Sequence, residues 1–454
     1  MADADQTRFE SSRRTFLTTG AAACAGAALT SVTPTLVHAA GNDTIKVALI
    51  GCGNRGAGAA VQALSTNGSV KLWAVADAFS DRLEACLDVM QRGWQRTYDR
   101  DPSLGVKDRM DVPPERRFVG LDAYRKAIDS SVDVVLLCEP PGFRPKHFEY
   151  AVNAGKHVFM EKPVAADVAG VKRVLAAAEE ARKKDLKVGV GLQRHHEPVY
   201  HQALEQFQSG AIGDLTSMRC YWNTGFPGKT TVPRGDMTEL EYQVRNWYFF
   251  TWLSGDHICE QHVHNLDACN WFVGKHPVEA QGVGGRQMRT GHEYGNIYDH
   301  HMVEFTYDDG LKLHSQCRQI PGCWNQVGES FAGTKGTLNT AVASTIIADG
   351  KRVWRSKSNP GGRKGAYQTE HDVLFDAIRT GKAHNEADYG ATSTLTGILG
   401  RMATYTGKVV TWDEALASDQ RLTTDAEDWN AEAPVNPRDD GSYAVAIPGK
   451  TTIA

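Results

Sequence analysis

Apolar residues follow one pattern through the first half of the 454-residue chain. Short, continuously apolar runs rich in β-branched residues alternate with stretches in which apolar residues recur at helical spacing. The predicted strands lie at 46–50, 70–76, 132–138, 156–160 and 186–192, with helices at 57–64, 81–92, 147–153 and 166–184. Strands that are apolar on both faces belong inside a parallel sheet with helices on either side. This half therefore predicts a doubly wound α/β domain over 43–193.

The pattern changes beyond residue 193. Strands that carry Trp and Tyr alternate with turns, and helical spacing returns near the end of the chain. The predicted strands include 215–222, 302–307 and 311–316, with a turn at 333–336 and helices at 368–379 and 392–407. Alternation of this kind is typical of an antiparallel sheet covered on one face. We expect an α+β domain with a large open, mainly antiparallel sheet over 194–365, helices over 366–412 and a polar tail over 413–454.

The first 40 residues fit neither pattern. Arg13 and Arg14 precede Phe16-Leu17, a small-residue apolar stretch follows at 18–29, and the segment ends in Val-His-Ala-Ala at 37–40. This arrangement predicts a twin-arginine export signal over 1–39, which is removed from the mature protein. The stretch is too rich in Ala, Gly and Thr for a transmembrane anchor. We expect a periplasmic or otherwise extracytoplasmic protein; the alternative is a disordered tail with two adjacent arginines.

Composition and charge narrow the classes of partner. A net charge of −4 and a pI near 6.5 give no basic surface for nucleic acid or for an anionic membrane. The 41% hydrophobic and 23% charged content is typical of a soluble globular protein. None of the cysteines beyond the predicted signal forms a C-x-x-C pair, and pairing of Cys317 with Cys323 stays open.

Three glycines follow the first predicted strand at the spacing G-x-G-x-x-G. Gly51 permits a tight strand-to-helix turn, Gly53 allows close approach of a pyrophosphate, and Gly56 allows close packing of helix and strand. The phosphates would lie at the helix N-terminus, where unpaired N–H groups favour negative charge. Asp77 ends the second strand, where a carboxylate binds ribose hydroxyls. These features favour NAD as cofactor, although the nearby Arg82 leaves NADP open; the alternative is a Gly-rich turn of another α/β protein.

A second motif makes the interpretation more specific. Three features of the sequence together resemble the Gfo/Idh/MocA family, which includes glucose-fructose oxidoreductase and inositol dehydrogenase. They are the glycine turn, the Pro-Pro pair at 140–141 and the sequence Gly-Lys-His-Val-Phe-Met-Glu-Lys-Pro at 155–163. The resemblance implies that Lys162 lies beside the nicotinamide and orients a sugar hydroxyl. It also implies that the 366–412 helices pack near the cofactor domain and that the second sheet mediates homo-oligomerisation. The expected cofactor contacts are Gly51, Gly53, Asn54, Arg55, Gly56, Asp77, Glu139, Pro140, His147, Glu161 and Lys162.

The stretch 252–267 carries the remaining candidate chemistry. By its resemblance to the family pattern, His264 is the catalytic base, Glu260 replaces the family's aspartate four residues earlier, and Asp267 is a substrate contact. Residues four apart share one face of a helix. An imidazole accepts a hydroxyl proton at neutral pH, while the Lys162 ammonium stabilises the developing alkoxide. We also expect sugar contacts from His195 and Tyr298.

Zinc binding is a rival interpretation of the same stretch. His257, Cys259, His262 and His264 offer nitrogen and sulfur ligands. On a continuous helix, however, positions 257, 260, 261 and 264 share a face from which Cys259 and His262 point away. The sequence therefore favours acid–base chemistry, and we expect no metal site.

Together these observations predict an exported NAD(P)-dependent oxidoreductase that acts on a secondary hydroxyl of a sugar or cyclitol. The cofactor would be tightly held, because no dinucleotide pool exists outside the cytoplasm. One alternative is an NAD-dependent glycoside hydrolase that works by transient oxidation and elimination. A non-catalytic sugar-binding homologue is another. Substrate identity is left open, with specificity expected in the loops 224–238 and 282–298.

Overall fold

The computed structural model describes residues 44–92, 106–226, 228–357 and 362–452. The predicted export signal at 1–39 lies outside these residues. Six strands of the first half form a parallel sheet: β1 (Ile45–Ile50), β2 (Val70–Asp77), β3 (Arg117–Val119), β4 (Val134–Leu137), β5 (His157–Met160) and β6 (Val188–Val190). The sheet order is β3-β2-β1-β4-β5-β6, which confirms the predicted doubly wound domain.

Helices cover both faces of this sheet. They are α1 (Asn54–Leu64), α2 (Ser80–Arg92), α3 (Ala123–Asp129), α4 (Arg144–Asn153) and α5 (Val168–Lys183), with 3₁₀ turns at Val106–Arg109 and Pro114–Arg116. All residues of β4 are buried, as expected for a strand with helices on either side. The strand order reverses between β1 and β4, so a crevice opens at the carboxyl ends of these strands.

A nine-stranded sheet forms the second half. Its strands are β7 (Leu215–Thr224), β8 (Glu279–Gly285), β9 (His300–Thr306), β10 (Lys312–Gln319), β11 (Gln326–Gly333), β12 (Thr337–Thr340), β13 (Thr345–Ala348), β14 (Lys351–Arg355) and β15 (Val410–Thr411). The order is β14-β13-β12-β11-β7-β10-β9-β8-β15, in which only the β7–β10 pair is parallel among the described residues. The predicted mainly antiparallel sheet is therefore confirmed.

Helices cover one face of the second sheet, and burial alternates along β10 accordingly. The helices of this half are α6 (Pro198–Gln208), α7 (Glu239–Arg245), α8 (Thr251–Ser254), α9 (His257–Glu260), α10 (Val263–Val273), α11 (Gly362–Thr380), α12 (Ala387–Thr406) and α13 (Trp412–Ala417), with 3₁₀ turns at Gln193–His196, Trp247–Phe249 and His292–Tyr294. Helix α11 packs on α1 and β6, and α12 packs between α5, α10 and β8. The last helices thus link the two sheets.

Two further observations concern thiols and membrane spans. Cys317 is buried, Cys323 is exposed, and both are free thiols, so the structure does not contain the disulfide that the sequence left open. Over the residues that the structure describes, no helix combines the length and the apolar character needed to cross a bilayer.

The C-terminal tail differs from the sequence expectation. The sequence predicts only a polar tail over 413–454, yet Ala433 and Tyr443 are buried in an apolar cluster that includes Leu240 and Phe250. Its few apolar side chains are widely spaced and follow no helical or strand period, so pattern analysis misses them.

Candidate active site

A cavity of about 570 Å³ opens at the carboxyl ends of the parallel strands. The start of the first helix, Trp222 of β7 and the residues 228–230 and 244–249 contribute to its lining. All eleven predicted cofactor contacts line this cavity, as do the predicted catalytic residues Lys162, Glu260 and His264. Side chains that are distant in the sequence therefore meet in one space, although their roles remain predictions.

The space beside each glycine of the turn indicates whether a dinucleotide fits the cavity. Gly51 has φ +90°, and a Cβ there would lie 2.4 Å from the Glu139 amide nitrogen. At Gly56 a Cβ would lie 1.9 Å from the Gly51 carbonyl oxygen. A Cβ on Gly53, in contrast, meets no protein atom within 4 Å. Contacts within the protein explain why positions 51 and 56 require glycine. The open space at Gly53 instead fits close approach of a pyrophosphate to the N-terminus of α1.

This difference gives a paired prediction. Gly56→Ala destabilises the fold by about 3 kcal/mol, because the new methyl group overlaps the Gly51 carbonyl. Gly53→Ala leaves the free energy of unfolding within about 0.5 kcal/mol of the wild type, but weakens NAD binding about tenfold or more by occupying the approach. Denaturant unfolding and calorimetric titration measure the two effects. Unchanged NAD affinity in Gly53→Ala contradicts this account of the turn.

Asp77 marks one end of the cavity. Its carboxylate accepts hydrogen bonds from the amides of Cys52 (2.6 Å) and Phe79 (2.9 Å), which fix it beside the glycine turn. Burial raises the pKa of Asp77. In a Rossmann fold a carboxylate at this position binds the ribose of the adenosine half. An adenosine half would therefore bind at the end of the cavity near β2, here called the adenosine end, and the opposite end, beyond β4, is here called the reactive end.

Arg144 joins the two loops at the reactive end. Its guanidinium is buried and donates to the carbonyls of Glu139, after β4, and Pro163, after β5. Beside it, His147 Nδ1 lies 3.2 Å from Glu139 Oε1. Arg55 in turn forms an ion pair with Glu161. These contacts hold both loops against the glycine turn. No motif or spacing in the sequence indicates the role of Arg144.

Lys162 follows β5 and lies at the reactive end. Its ammonium is 3.5 Å from Glu260 Oε1 and also donates to the Glu260 carbonyl oxygen. Because its side chain is only 12% exposed, the charge of Lys162 is poorly solvated and is balanced mainly by Glu260. A primary ammonium has three donors. The pairing therefore fixes the position of Nζ while a donor stays available to a bound oxygen.

His264 lies in the first turn of α10 and is buried at the same cavity. Its imidazole stacks on the indole of Trp222, with ring centroids 5.9 Å apart and an interplanar angle of 24°. The Trp222 ring restricts the orientation of the imidazole. The site thus combines an ammonium, a carboxylate and an oriented imidazole around one space, which suits proton removal from a hydroxyl group.

The predicted continuous helix through 257–264 is wrong. Helix α9 ends at Glu260, and the amide of His262 donates to the carbonyl of His257 five residues earlier. The His262 ring is turned into the sheet, where Nε2 lies 2.7 Å from Ser315 Oγ. This tertiary contact interrupts the helix. Glu260 and His264 nevertheless both reach the cavity.

Comparison with known proteins identifies the family. A model of an oxidoreductase family with an NAD-binding Rossmann fold, GFO/IDH/MocA, matches residues 45–191, and a model of the GFO/IDH/MocA C-terminal domain matches residues 200–339. The chain belongs to the Gfo/Idh/MocA family. The matched ranges include the glycine turn, Lys162 and His264.

Named relatives in this family are distant. Inositol 2-dehydrogenase 3 of Saccharopolyspora erythraea is 28% identical over 184 residues, which cover 40% of this chain and 47% of that protein. Matches to two further curated relatives each cover 57% of the relative, so the chain spans about half the length of the curated relatives it matches.

Solved structures share the fold. Levoglucosan dehydrogenase, in complex with NADH and levoglucosan, has a TM-score of 0.63 at 16% identity, covering 81% of this chain and 99% of that chain. Scyllo-inositol dehydrogenase from Lactobacillus casei, with bound NAD(H) and scyllo-inositol, has a TM-score of 0.58 at 20% identity, covering 82% of this chain and 100% of that chain.

The structure places Asp267, the substrate contact expected from the Gfo/Idh/MocA pattern, outside the cavity described here. Asp267 is buried away from the cavity and accepts hydrogen bonds from His195 Nε2 (3.0 Å) and Ser393 Oγ (2.8 Å). Three residues past His264, its side chain is rotated by about 60° around α10 and points to α12. The predicted sugar contact His195 is the partner of Asp267 in this hydrogen bond, and its ring stacks between those of Trp271 and Tyr389.

The predicted sugar contact Tyr298 also lies outside the cavity described here. It is 1% exposed, and its hydroxyl donates to the Ala446 carbonyl at 3.0 Å rather than into the cavity. Of the two loops expected to set specificity, only the first contributes, through Gly228, Lys229 and Thr230. The 282–298 loop does not line the cavity described here.

The four candidate ligands of the rival zinc interpretation do not converge. His257 Nδ1 lies 2.9 Å from Asp256 Oδ1, whereas His262 faces the second sheet and His264 faces the cavity. The side chain of Cys259 packs against Gly397 of α12. The structure therefore gives no support to the zinc interpretation of this stretch.

Asp256, His257 and His301 instead form a buried polar cluster, whose ligand atoms lie within 4.8 Å of one another. Asp256 Oδ2 accepts from the Tyr298 amide (2.9 Å) and the Tyr405 hydroxyl (2.6 Å), and Oδ1 accepts from His257. Burial alone would raise the pKa of Asp256, but His301 and His257 hold it well below its ordinary value. The acceptor sites of this anion are filled by protein donors, so the cluster fixes the start of α9.

Several residues of the Gfo/Idh/MocA cavity were missed by sequence reasoning. They are Tyr124, Gln193, Arg194, Trp222, Asn246, Trp247, Tyr248 and Gln261. Gln193 and Arg194 directly follow the last parallel strand, and Trp222 lies near the end of β7, so the rule that ligands bind at carboxyl ends of strands was an available signal. The other contacts depend on how the two sheets face each other, which a single sequence does not reveal.

Proposed function

We propose that this protein is an exported, NAD-dependent oxidoreductase that oxidises a secondary hydroxyl of a sugar or cyclitol. One observation carries the proposal: Lys162, Glu260 and His264 line the same cavity as the glycine turn and Asp77. The names of the relatives, inositol 2-dehydrogenase and levoglucosan dehydrogenase, support a polyhydroxylated substrate. The mixture of aromatic and polar side chains around the reactive end suits such a ligand.

The chemistry follows from the positions of these side chains. Lys162 donates a hydrogen bond to the reacting hydroxyl oxygen and stabilises the charge that develops there. The His264 imidazole accepts the hydroxyl proton, while its stacking on Trp222 fixes the orientation of the ring toward that proton. The cavity would hold NAD⁺ along the glycine turn and Asp77, and the nucleotide would supply the acceptor for the hydride of the substrate carbon. Glu260 holds the Lys162 ammonium and compensates its charge before and after the transfer.

Asp77 gives a test of the cofactor assignment. Asp77→Ala weakens NAD binding by about tenfold to a hundredfold, because a charged acceptor of the ribose hydroxyls is removed. NADP gains relative to NAD, because the carboxylate no longer repels a 2′-phosphate. Calorimetric titration with both dinucleotides measures the change. Asp88→Ala, on the exposed side of α2 and paired with Arg92, is the matched control. A variant with wild-type affinity and preference contradicts the assignment.

Export and cofactor retention belong together in this proposal. The paired arginines at 13–14 support the twin-arginine route, which carries folded proteins and so permits NAD to be bound before export. In the periplasm the cofactor has no pool with which to exchange. We therefore propose tight NAD binding and regeneration of its redox state within the site.

We also propose a homo-oligomer formed through the second sheet. Val283 on β8 and Met302 on β9 are paired across the strands, and their exposures are 67% and 48%. Two such adjacent apolar side chains on an open sheet face support contact with a second copy of the chain. Light scattering on the mature protein gives the assembly mass.

Protein isolated with its own cofactor tests the function. One arm offers free cyclitols and aldoses, and the expected result is reduction of bound NAD followed by reoxidation with a second carbonyl compound. The other arm offers nitrophenyl glycosides. Release of nitrophenol without added oxidant would replace the proposal by redox-neutral glycoside cleavage. If neither arm reacts and Lys162→Ala keeps sugar affinity, the non-catalytic alternative stands.

A further inference from the structure

The C-terminal segment 418–446, here called the strap, is fastened to the Rossmann domain. Asp167, at the start of α5, accepts hydrogen bonds from the amides of Leu422 (2.6 Å) and Thr423 (3.1 Å). Glu427 Oε1 lies 2.6 Å from Lys146 Nζ on α4 and 2.7 Å from Arg125 on α3. These ion pairs connect the strap with two helices of the Rossmann domain, α3 and α4.

The same strap is fastened to the 238–253 segment. Thr238 donates to the Trp429 carbonyl at 2.8 Å, and the Tyr443 hydroxyl donates to Glu239 at 2.6 Å. Gln243 donates to the Val435 carbonyl. Apolar packing adds to these hydrogen bonds. Ala433 and Tyr443 of the strap are buried in a cluster with Leu240, Tyr242, Val244, Phe250, Trp252 and Leu253. The strap therefore bridges α7 and the Rossmann helices.

The bridge supports the cavity wall at its adenosine end. Phe79, two residues past Asp77, lines the cavity and stacks on Trp429 with ring centroids 5.2 Å apart and an interplanar angle of 19°. The Arg245 guanidinium covers the Phe79 ring at 3.7 Å. Tyr124 lines the cavity and donates to Glu427 at 3.2 Å. The wall residues at this end are thus braced from outside by the strap.

We propose that the strap is a cofactor-retaining element, which keeps the wall formed by Phe79, Tyr124 and α7 closed over the adenosine half of NAD. Release of NAD requires this wall to move, and movement requires the stacking and hydrogen bonds of the strap to break. Segments that open locally set the rates of ligand release in many enzymes. The inference rests on the proposed function, to which it adds the physical cause of retention outside the cytoplasm.

The test measures NAD release from full-length, NAD-loaded protein by chase with isotopically labelled NAD. Trp429→Ala raises the dissociation rate about tenfold or more, because the Phe79 ring loses its stacking partner. Glu427→Gln preserves the shape of the strap but breaks both ion pairs, and it raises the rate about threefold. Glu432→Gln is the matched control, since this exposed strap residue contacts Asn436 within the strap itself.

The outcomes distinguish a failure of the strap proposal from a failure of the proposed function, because NAD release is measured without substrate. If the two variants release NAD at the wild-type rate, the strap proposal is overturned while the oxidoreductase proposal stands. If NAD is retained and released as expected but no polyol reduces it, the reaction assignment fails alone. Should the wild-type protein bind no NAD, both proposals fall.

Discussion

Lys162→Met lowers the rate of hydride transfer about a thousandfold, while NAD stays bound. The substitution keeps the length of the side chain but removes the ammonium that stabilises the developing alkoxide. The glycine turn and Asp77 hold the dinucleotide independently, so NAD affinity falls far less than kcat. Single-turnover reduction of bound NAD gives the rate, and calorimetry gives the affinity.

A matched control separates this effect from a general loss of positive charge. Lys183→Met removes an exposed lysine of α5, whose ammonium pairs only with Glu180 among the described contacts. We expect wild-type rates from this variant. Equal losses of kcat in both variants, or a Lys162→Met enzyme within about threefold of the wild type, would remove Lys162 from the mechanism.

His264→Ala lowers kcat by about a thousandfold, because the substrate hydroxyl loses the base that accepts its proton. Added imidazole restores part of the rate by entering the space beside Trp222. The rates of the wild type and the variant, with and without imidazole, measure both effects.

The control for His264 is His314→Ala. His314 lies on β10 with its side chain 41% exposed, near Glu304 and away from the cavity. This variant keeps the wild-type rate and does not respond to imidazole. If His264→Ala retains full activity, another group is the base.

The sequence predicted the Rossmann domain well because its signals are local. Each parallel strand is a continuous apolar run, for example Val134–Leu137, and glycine or proline follows where the chain must turn. Burial on both faces leaves such a run little alternative to the interior of a sheet. The cavity-lining residues at the carboxyl ends of those strands follow from the same rule.

The errors arose where distant side chains decide the local structure. His262 breaks the expected helix because Ser315, 53 residues away, fixes its ring. Asp267 leaves the cavity because Ser393 on α12 and His195 satisfy its charge. The strap was missed because its anchors, Trp429 and Tyr443, are separated by polar residues without a regular period. None of these partners follows from residue spacing in a single sequence.

Transfer of deuterium from substrate to nucleotide decides whether this protein is an NAD-dependent oxidoreductase. NAD-loaded protein is mixed with a cyclitol or sugar that carries deuterium on its carbinol carbons, and the cofactor is recovered after one turnover for mass spectrometry. We expect the nicotinamide to carry one deuterium, and we expect Lys162→Met and His264→Ala to prevent this labelling in the same time. Conversion of the substrate with a cofactor that never acquires deuterium would exclude hydride transfer to NAD.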